Sequence, residues 1–258
     1  MSVVHQLKVA ASIFASSARG WRGSLSFHPT TRQPDQLLKL YEFEASPYCR
    51  FVREALTEMD LDVLILPCPQ GGTRFRPEAK ALGGKAMFPF LVDPNTGRQL
   101  YESADIVDYV AETYGGQIRA PRGLRRSGAV AASFLTTTFR AVPSLRGAKA
   151  APSKAPAQPL ELFSFESSPY SRLVRERLSE LELPYILRNT AKARWEDIGP
   201  PWIRTKYFPD LPVEGRNRLR LLEREGRVQV PYLIDANTGV AMFESAEILA
   251  YLDRTYAA

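Results

Sequence analysis

Apolar and polar positions follow one another along the chain in a pattern that predicts strands and helices in a fixed order. Residues 37–44 predict a strand, residues 47–59 repeat with a helical period, and residues 62–67 predict a second strand. A short helix is predicted near residues 77–82. A turn rich in Pro, Asn and Gly at residues 94–97 lies between two apolar runs, which predicts a β-hairpin followed by a last helix.

The same order of elements recurs in the second half of the chain. Strands are predicted at 160–166 and 185–188, helices at 169–181 and 245–256, and a hairpin at 230–239. Residues 41–61 and 163–183 are identical at 12 of 21 positions, which indicates a tandem repeat. The second copy is longer, with its extra residues in the basic stretch 193–227. We therefore divide the chain into an N-terminal arm (1–36), a first domain (37–114), a connector (115–159) and a second domain (160–258).

Each copy passes from its first strand to its first helix through the same Ser-Pro-Tyr sequence. Ser46 and Ser168 suit the N-cap of a helix, and Pro47 and Pro169 suit its first turn, where a missing N–H costs nothing. A strand that leads into a capped helix directs backbone N–H groups at whatever lies above the turn. The sequence therefore predicts two places suited to an anion or a thiolate.

The basic residues are concentrated in the connector. The net charge is +6, and no acidic residue lies between Glu112 and Glu161. Residues 129–142 in the centre of the connector have an apolar, helical pattern. They predict a helix that packs on the two domains or, alternatively, a segment that binds a partner or a membrane surface. Basic and aromatic residues do not alternate there, which argues against nucleic acid as a partner.

The N-terminal arm has the composition of an organellar targeting segment. It contains no acidic residue before Asp35, and it combines arginines with serines. A polar arm that stays on the protein is the alternative interpretation. No apolar run of the chain reaches the roughly 18 residues needed for a transmembrane helix, so none is predicted.

Few residues are available for metal or disulfide chemistry. Both histidines, His5 and His28, lie in the N-terminal arm, so we predict no metal site. The chain has two cysteines, Cys49 and Cys68, too few for a secreted disulfide scaffold. A disulfide between them is conceivable, but we expect two free thiols in a reducing compartment.

The order of elements resembles the thioredoxin fold, and more narrowly glutaredoxins and the N-terminal domain of glutathione transferases. Ser46-Pro-Tyr-Cys49 is similar to the Cys-Pro-Tyr-Cys site of glutaredoxins. The tandem arrangement resembles the plastid proteins of plants and algae that carry two glutathione-transferase N-terminal domains. That match rests on the segments 67–72, 75–77, 88–89, 93–97 and 243–247. The resemblance implies an α/β fold of two βαβαββα thioredoxin-like domains, and an organelle, the chloroplast rather than the mitochondrion.

The resemblance also implies a glutathione-binding position in each domain. Its members would be Ser46, Tyr48, Phe88, Pro89, Glu102 and Ser103 in the first domain, and Ser168, Tyr170, Val230, Pro231, Glu244 and Ser245 in the second. The two hairpin prolines would be cis, and each Glu-Ser pair would hold the γ-glutamyl end of the ligand. Helix capping by the serine of each pair and a conformational role for each proline are the alternatives.

The reactive sulfur of this fold is missing from the sequence. A redox cycle needs a thiolate at the first position of the helix-start motif, where this chain has Ser46 and Ser168. Cys49 occupies the second position, and Ser171 replaces it in the second copy. These substitutions argue against glutaredoxin activity. Some glutathione transferases use a serine near this place to hydrogen-bond the glutathione sulfur, so Ser46 and Ser168 stay candidates for that role, and Cys49 stays a weak catalytic candidate.

Two functions remain after these exclusions. The first is a non-redox scaffold or accessory subunit of an organellar assembly. It would contact protein partners through residues 1–36 and 115–158, with a membrane surface as a further candidate contact. The second is a glutathione-dependent transferase or thiol-disulfide oxidoreductase. The first needs no cofactor, although glutathione stays a candidate ligand. We favour the first because both nucleophile positions have lost their sulfur.

Overall fold

The computed structural model describes residues 3–17, 20–27, 29–119, 146–197 and 206–258. A helix α1 (Val3–Ser17) precedes the first domain. The first domain consists of β1 (Leu38–Glu42), α2 (Pro47–Glu58), β2 (Val63–Pro67), α3 (Arg76–Gly83), β3 (Phe90–Asp93), β4 (Arg98–Leu100) and α4 (Ser103–Tyr114). The helix predicted at 129–142 lies outside the described residues.

The second domain repeats these elements in the same order. It consists of β5 (Leu160–Ser164), α5 (Pro169–Glu180), β6 (Tyr185–Asn189), a 3₁₀ turn (Trp195–Asp197), α6 (Arg216–Glu225), β7 (Tyr232–Asp235), β8 (Val240–Phe243) and α7 (Ser245–Tyr256). The α/β class and the two tandem βαβαββα domains are therefore confirmed. The longer stretch 193–227 contains α6, which takes the place in the order that α3 holds in the first domain.

The strands of both domains form one eight-stranded sheet. Its order is β4-β3-β1-β2-β6-β5-β7-β8, and β2 pairs with β6 in antiparallel register, with Leu64 opposite Ile186. This pairing joins the two domains edge to edge around an approximate two-fold axis. Because an unpaired strand edge invites association with other chains, the pairing also protects the inner edge of each half-sheet.

A continuous apolar cluster lies between the sheet and helices α2, α4, α5 and α7. It includes residues of both domains, such as Leu56 of α2 and Leu178 of α5, which are 1% and 0% exposed. Two smaller clusters lie apart from it. One includes Ala79 of α3, and the other includes Leu221 of α6. Both domains therefore share one main core, and each has a smaller core of its own.

Two short segments, each of which precedes one domain in the sequence, contact the other domain. The Gly23 strap (residues 22–26) forms a β-bridge with Lys192 of the second domain. The Gly147 strap (residues 146–150) forms the corresponding bridge with Gln70 of the first domain. Each domain is thus held by the segment that precedes the other one, and the Arg-Gly pair in both straps extends the internal repeat into the arm and the connector.

Glycine is required where each strap passes the domain boundary. Gly23 and Gly147 have φ angles of +72° and +71°, which side chains rarely permit. A Cβ atom at Gly23 would lie 2.8 Å from the Cβ of Glu166, and one at Gly147 would lie 3.0 Å from the Cβ of Glu44. The close approach brings both straps against charged residues at the boundary, whose arrangement is described below.

Candidate functional site

The two Ser-Pro-Tyr turns form N-caps as the sequence predicted. The Ser46 Oγ accepts a hydrogen bond from the Cys49 N–H, and the Ser168 Oγ accepts one from the Ser171 N–H, both at 3.3 Å. Both serines are buried. Their hydroxyls are therefore engaged in capping the N-termini of the helices, a role that the local sequence alone explains.

The sheet places the hairpin prolines beside these turns. The Phe88–Pro89 and Val230–Pro231 peptide bonds are both cis, as the resemblance implied. In the first domain, Phe90 at the start of β3 is the register partner of Tyr41 in β1, and the Phe43 and Phe88 rings contact edge to face. The predicted members Tyr48 and Tyr170 lie on the outside of the helix starts, 46% and 42% exposed.

The Glu-Ser pairs begin the last helix of each domain in an unusual backbone conformation. Glu102 and Glu244 have φ angles of 63° and 69°, a region that non-glycine residues seldom occupy. Glu102 and Glu244 have non-helical backbone angles and are therefore the N-caps. The helices themselves begin at Ser103 and Ser245. The prediction that the serines cap these helices is therefore wrong by one position. No side chain accepts a capping hydrogen bond at Glu102 or Glu244.

The cysteines lie in surroundings that suppress thiolate chemistry. Cys49 and Cys68 are both free and both 0% exposed. Burial, together with the nearby Glu42 carboxylate, raises the pKa of the Cys49 thiol to about 12. Burial also raises the pKa of Cys68. Since the thiolate is the nucleophile, neither sulfur is suited to attack a disulfide or an electrophile at neutral pH.

Helix α1 covers the Glu-Ser position of the second domain. The His5 Nε2 and the Ser245 Oγ lie 3.1 Å apart, and both residues are buried. Farther along α1, the Arg172 Nη2 donates to the Ser16 Oγ at 3.1 Å, and the Ser16 Oγ donates to the Ser167 carbonyl at 2.7 Å. The place where the resemblance implies a ligand is thus occupied in the second domain by a helix of the same chain.

Five charged side chains are buried together between α2 and α5. This interdomain ion cluster consists of Glu42, Glu44, Arg53, Glu166 and Arg175. Its central contacts are reciprocal across the domain boundary. The Arg53 Nε donates to Glu166 at 3.0 Å, and the Arg175 Nη2 donates to Glu44 at 3.1 Å. A buried ion pair is tolerated only when its geometry and its hydrogen bonds offset the loss of hydration, so the two domains are adapted to each other.

The ion cluster is asymmetric at one equivalent position. Arg53 is bonded to Glu42, whereas Arg175 donates to the hydroxyl of Ser164 at 2.9 Å. Within the cluster three carboxylates thus face two guanidinium groups, and the buried Arg50 lies beside it, with its Nε 3.8 Å from Glu166. Burial, opposed by Arg53 and reinforced by Glu44, raises the pKa of Glu42 to about 7. For Glu166 burial acts in the same direction, but the attraction of Arg175 and Arg53 is stronger and lowers its pKa to about 2.

The Glu42→Ser variant, which copies Ser164, is expected to flatten the pH dependence of stability. Folded Glu42 binds a proton with a pKa of about 7, whereas an unfolded Glu has a pKa of about 4.3. Between these values the folded state holds more protons, so the wild-type free energy of unfolding falls as the pH rises. Asp60, whose pKa burial raises to about 7, adds to this fall, so the variant removes only part of it. Urea titrations from pH 4.5 to 7.5 measure both slopes, and equal slopes would contradict the assignment.

Ser171 offers a matched pair of substitutions on one helix. Among the described residues, no group forms a hydrogen bond with its Oγ, although the side chain is fully buried. We expect Ser171→Ala to raise the free energy of unfolding by about 1 kcal/mol, because an unpaired buried hydroxyl is removed. Ser168→Ala should lower it by about 1 kcal/mol through loss of the N-cap. Thermal unfolding of both variants checks the opposite signs, and a loss of stability in Ser171→Ala would show that the hydroxyl is paired.

The ion cluster and the contacts of α1 were not predicted from the sequence. A signal for the cluster was available, because both copies carry the same charges at the same spacing. Glu44, Arg50 and Arg53 in the first copy correspond to Glu166, Arg172 and Arg175 in the second. The same charges thus recur just before and along the first helix of each copy, at positions that a duplicated fold makes equivalent. The contact of His5 with Ser245 joins residues 240 positions apart, and no local pattern predicts it.

The described residues hold neither a metal-ligand cluster nor a membrane-spanning helix. Within the ranges that the structure describes, no three His, Cys, Asp or Glu side chains converge as metal ligands would. Over the same ranges, no helix combines the length and the apolar character that crossing a membrane requires. The glutathione-binding positions implied by the resemblance are therefore kept as the candidate site, and the roles of their residues are still predictions.

Solved structures of glutathione transferases match parts of the chain. A structure of a Bombyx mori glutathione transferase is 28% identical over 37% of this chain and 45% of that one, with a TM-score of 0.30. A structure of the same transferase in complex with GTT matches with the same values. Leishmania TDR1, described as a unique trimeric glutathione transferase, is 12% identical over 84% of this chain and 68% of its own, with a TM-score of 0.27. The chain spans less than half the length of the Bombyx mori protein.

The family comparison covers both domains. No curated protein matches the chain. The model of the glutathione S-transferase N-terminal domain matches it twice, over residues 40–118 and 162–258. These segments make up more than half of the chain, and it therefore belongs to the glutathione S-transferase N-terminal domain family.

Proposed function

We propose that this protein is a non-redox tandem module that serves as a scaffold or accessory subunit of a protein assembly in an organelle. The proposal depends on the residues found at the two positions where this fold ordinarily places its nucleophilic sulfur. In both domains a serine takes the place of the sulfur, and its hydroxyl already accepts a helix N–H at 3.3 Å. A hydroxyl without an adjacent base is too weak an acid to replace a thiolate.

The surroundings of the candidate site support the same proposal. Cys49, the sulfur next to the first helix start, is fully buried and has a raised pKa. In the second domain, α1 lies on the helix start and on Ser245. A transferase must admit both glutathione and an electrophile at this place. A covered position and a buried thiol suit a structural role better than a catalytic one.

Glutathione binding without turnover is the second candidate function. It is favoured by the left-handed backbone of Glu102 and Glu244, which both domains retain although it is strained. Isothermal calorimetry with glutathione tests it. Heat of binding that Ser103→Ala removes would place a ligand in the first domain, and no heat up to millimolar glutathione would exclude both domains.

Turnover assays test the loss of activity. With chlorodinitrobenzene or hydroxyethyl disulfide and glutathione, we expect rates equal to those of the protein-free reaction, and no change on Ser46→Ala or Cys49→Ser. Turnover that either substitution abolishes would support the transferase or oxidoreductase alternative and contradict the proposal. The same assays on a chain lacking residues 1–20 show whether α1 conceals an activity of the second domain.

Native extracts test the assembly and the compartment. We expect the protein to co-migrate with a complex well above its own mass of 28.9 kDa. Migration of all the protein at its own mass would contradict an accessory role. A fusion of residues 1–36 to a fluorescent protein tests the proposed organelle, the chloroplast rather than the mitochondrion, and fluorescence confined to the cytosol would contradict it.

A further inference from the structure

Helix α1 buries its polar side and exposes its apolar side. The inner side, which faces α5, carries the buried residues His5, Val9, Ser12 and Ser16. The opposite side, here called the α1 outer face, consists of Leu7, Ala10, Ala11 and Phe14. Leu7 and Phe14 are 66% and 65% exposed. A surface helix ordinarily turns its apolar stripe towards the core. The orientation of α1 is therefore the reverse of the one expected in a monomeric protein.

The inverted arrangement is held in place by specific contacts. The His5 ring contacts Ser245, Arg172 donates to the Ser12 carbonyl at 3.2 Å, and Ser16 donates to the Ser167 carbonyl at 2.7 Å. A rotation of α1 that buried Leu7 and Phe14 would break all three contacts. The apolar side is therefore available to another molecule.

We propose that the α1 outer face is a self-association surface, on which α1 of a second copy packs antiparallel about a two-fold axis. The spacing of the face suits this arrangement. Ala10 and Ala11 flank its midpoint, and Leu7 and Phe14 each lie 3.5 residues from it, which is about 5 Å along a helix. In an antiparallel pair, Leu7 of each copy therefore lies opposite Phe14 of the other. The small central residues allow the axes to approach to about 8 Å.

The charges favour a second copy over a lipid surface. Lys8 is the only charged residue of α1, and in the antiparallel pair it lies opposite Ile13 of the other copy, so that like charges do not meet. An interfacial membrane helix displays a face rich in Lys and Arg. Here the polar side of α1 is instead occupied by the second domain. Two self-complementary surfaces of this kind form the isologous contact that a two-fold dimer requires.

The size of the face predicts a weak dimer. Four side chains of this kind offer a few hundred Å², below the roughly 800 Å² per partner of a standard stable interface. We therefore expect association that depends on protein concentration. The inference rests on the outer face alone, so its failure would leave the proposed accessory function and its turnover assays unaffected.

Sedimentation velocity of the full chain over a concentration series tests the dimer. The weight-average sedimentation coefficient should rise from the monomer to the dimer value, and Phe14→Glu should abolish the rise. Gln6→Glu is the matched control, because Gln6 is exposed on α1 but lies outside the face, and it should retain the rise. Circular dichroism confirms that both variants are folded. A monomer at every concentration, or equal effects of the two variants, would overturn the inference.

Cysteine cross-linking tests the antiparallel geometry. Cys49 and Cys68 are buried, so an introduced surface thiol reacts separately. Under mild oxidation, Ala10→Cys should give a disulfide-linked dimer, because disulfides need Cα atoms within about 7 Å, and exposed Ser17→Cys should not. Leu7→Cys should cross-link to Phe14→Cys in a mixture but not to itself. Co-sedimentation with vesicles of anionic lipid that Phe14→Glu abolishes, while the protein stays monomeric, would assign the face to lipid and overturn the dimer.

Discussion

Replacing Arg53 by alanine is expected to lower the free energy of unfolding by about 3–5 kcal/mol. The Arg53 guanidinium contacts three buried carboxylates, those of Glu42, Glu44 and Glu166. Its removal leaves only Arg175 and the more distant Arg50, 3.8 Å from Glu166, to face these carboxylates. A buried charge without a partner costs far more than a surface pair contributes. Urea unfolding at pH 7 measures the change in the free energy of unfolding. The variant should destabilise both domains, because Arg53 belongs to the first domain and its partner Glu166 to the second.

Two further variants separate the ion cluster from general effects of losing an arginine. Arg177→Ala removes a surface arginine that pairs with Asp253 on α7, and it should cost at most about 1 kcal/mol. Arg53→Lys should give an intermediate loss, since a point charge cannot bond three carboxylates as a planar guanidinium does. A loss below about 1 kcal/mol in Arg53→Ala would show that the ion pairs of Arg53 do not stabilise the domain boundary, which would contradict the prediction.

The Asp62→Ala variant is expected to lose about as much, about 3–5 kcal/mol. Asp62 precedes β2 in the first domain and is buried, and the donors that bond its carboxylate belong to the second domain. Its carboxylate accepts from Arg188 at 3.0 Å, from Arg216 at 2.9 Å and from Asn217 at 2.7 Å. Without it, the donors of β6 and α6 lose their common acceptor. The free energy of unfolding from urea titrations at pH 7 measures the loss, with the surface variant Asp253→Ala as the control.

The effect of Asp62→Ala should shrink in acid. Burial opposes ionisation of Asp62, but the hydrogen bonds and charge of Arg216 prevail and lower its pKa below the usual value. Its contribution is therefore fully present above the unfolded pKa of about 3.9 and is lost as the pH falls through the lower folded value. The difference between wild type and variant should be smaller at pH 2–3 than at pH 7. A difference that does not change with pH would show that the carboxylate acts through packing rather than charge.

Much of the fold could be predicted because its signals are local. The helix that begins at Pro47 and the hairpin around residues 94–97 follow from the period of apolar residues and from turn residues, and the structure confirms both. The N-caps at Ser46 and Ser168 were predicted for the same reason. The wrong prediction of Ser103 and Ser245 as N-caps shows the limit of such signals. A helical pattern of apolar residues does not predict the positive φ angle of the Glu before each serine.

The amino-acid sequence by itself determined the duplicated α/β architecture and the absence of sulfur from the first position of both helix-start motifs, since repeats, periodicity and residue identity need no distant contact. Only the tertiary structure decided how the halves combine. The β2–β6 pairing brings Arg53 and Arg175 to each other's carboxylates, and the docking of α1 carries His5 to Ser245. These contacts join residues far apart in the sequence, on edges and faces that no local pattern specifies, so they are a property of the whole folded chain.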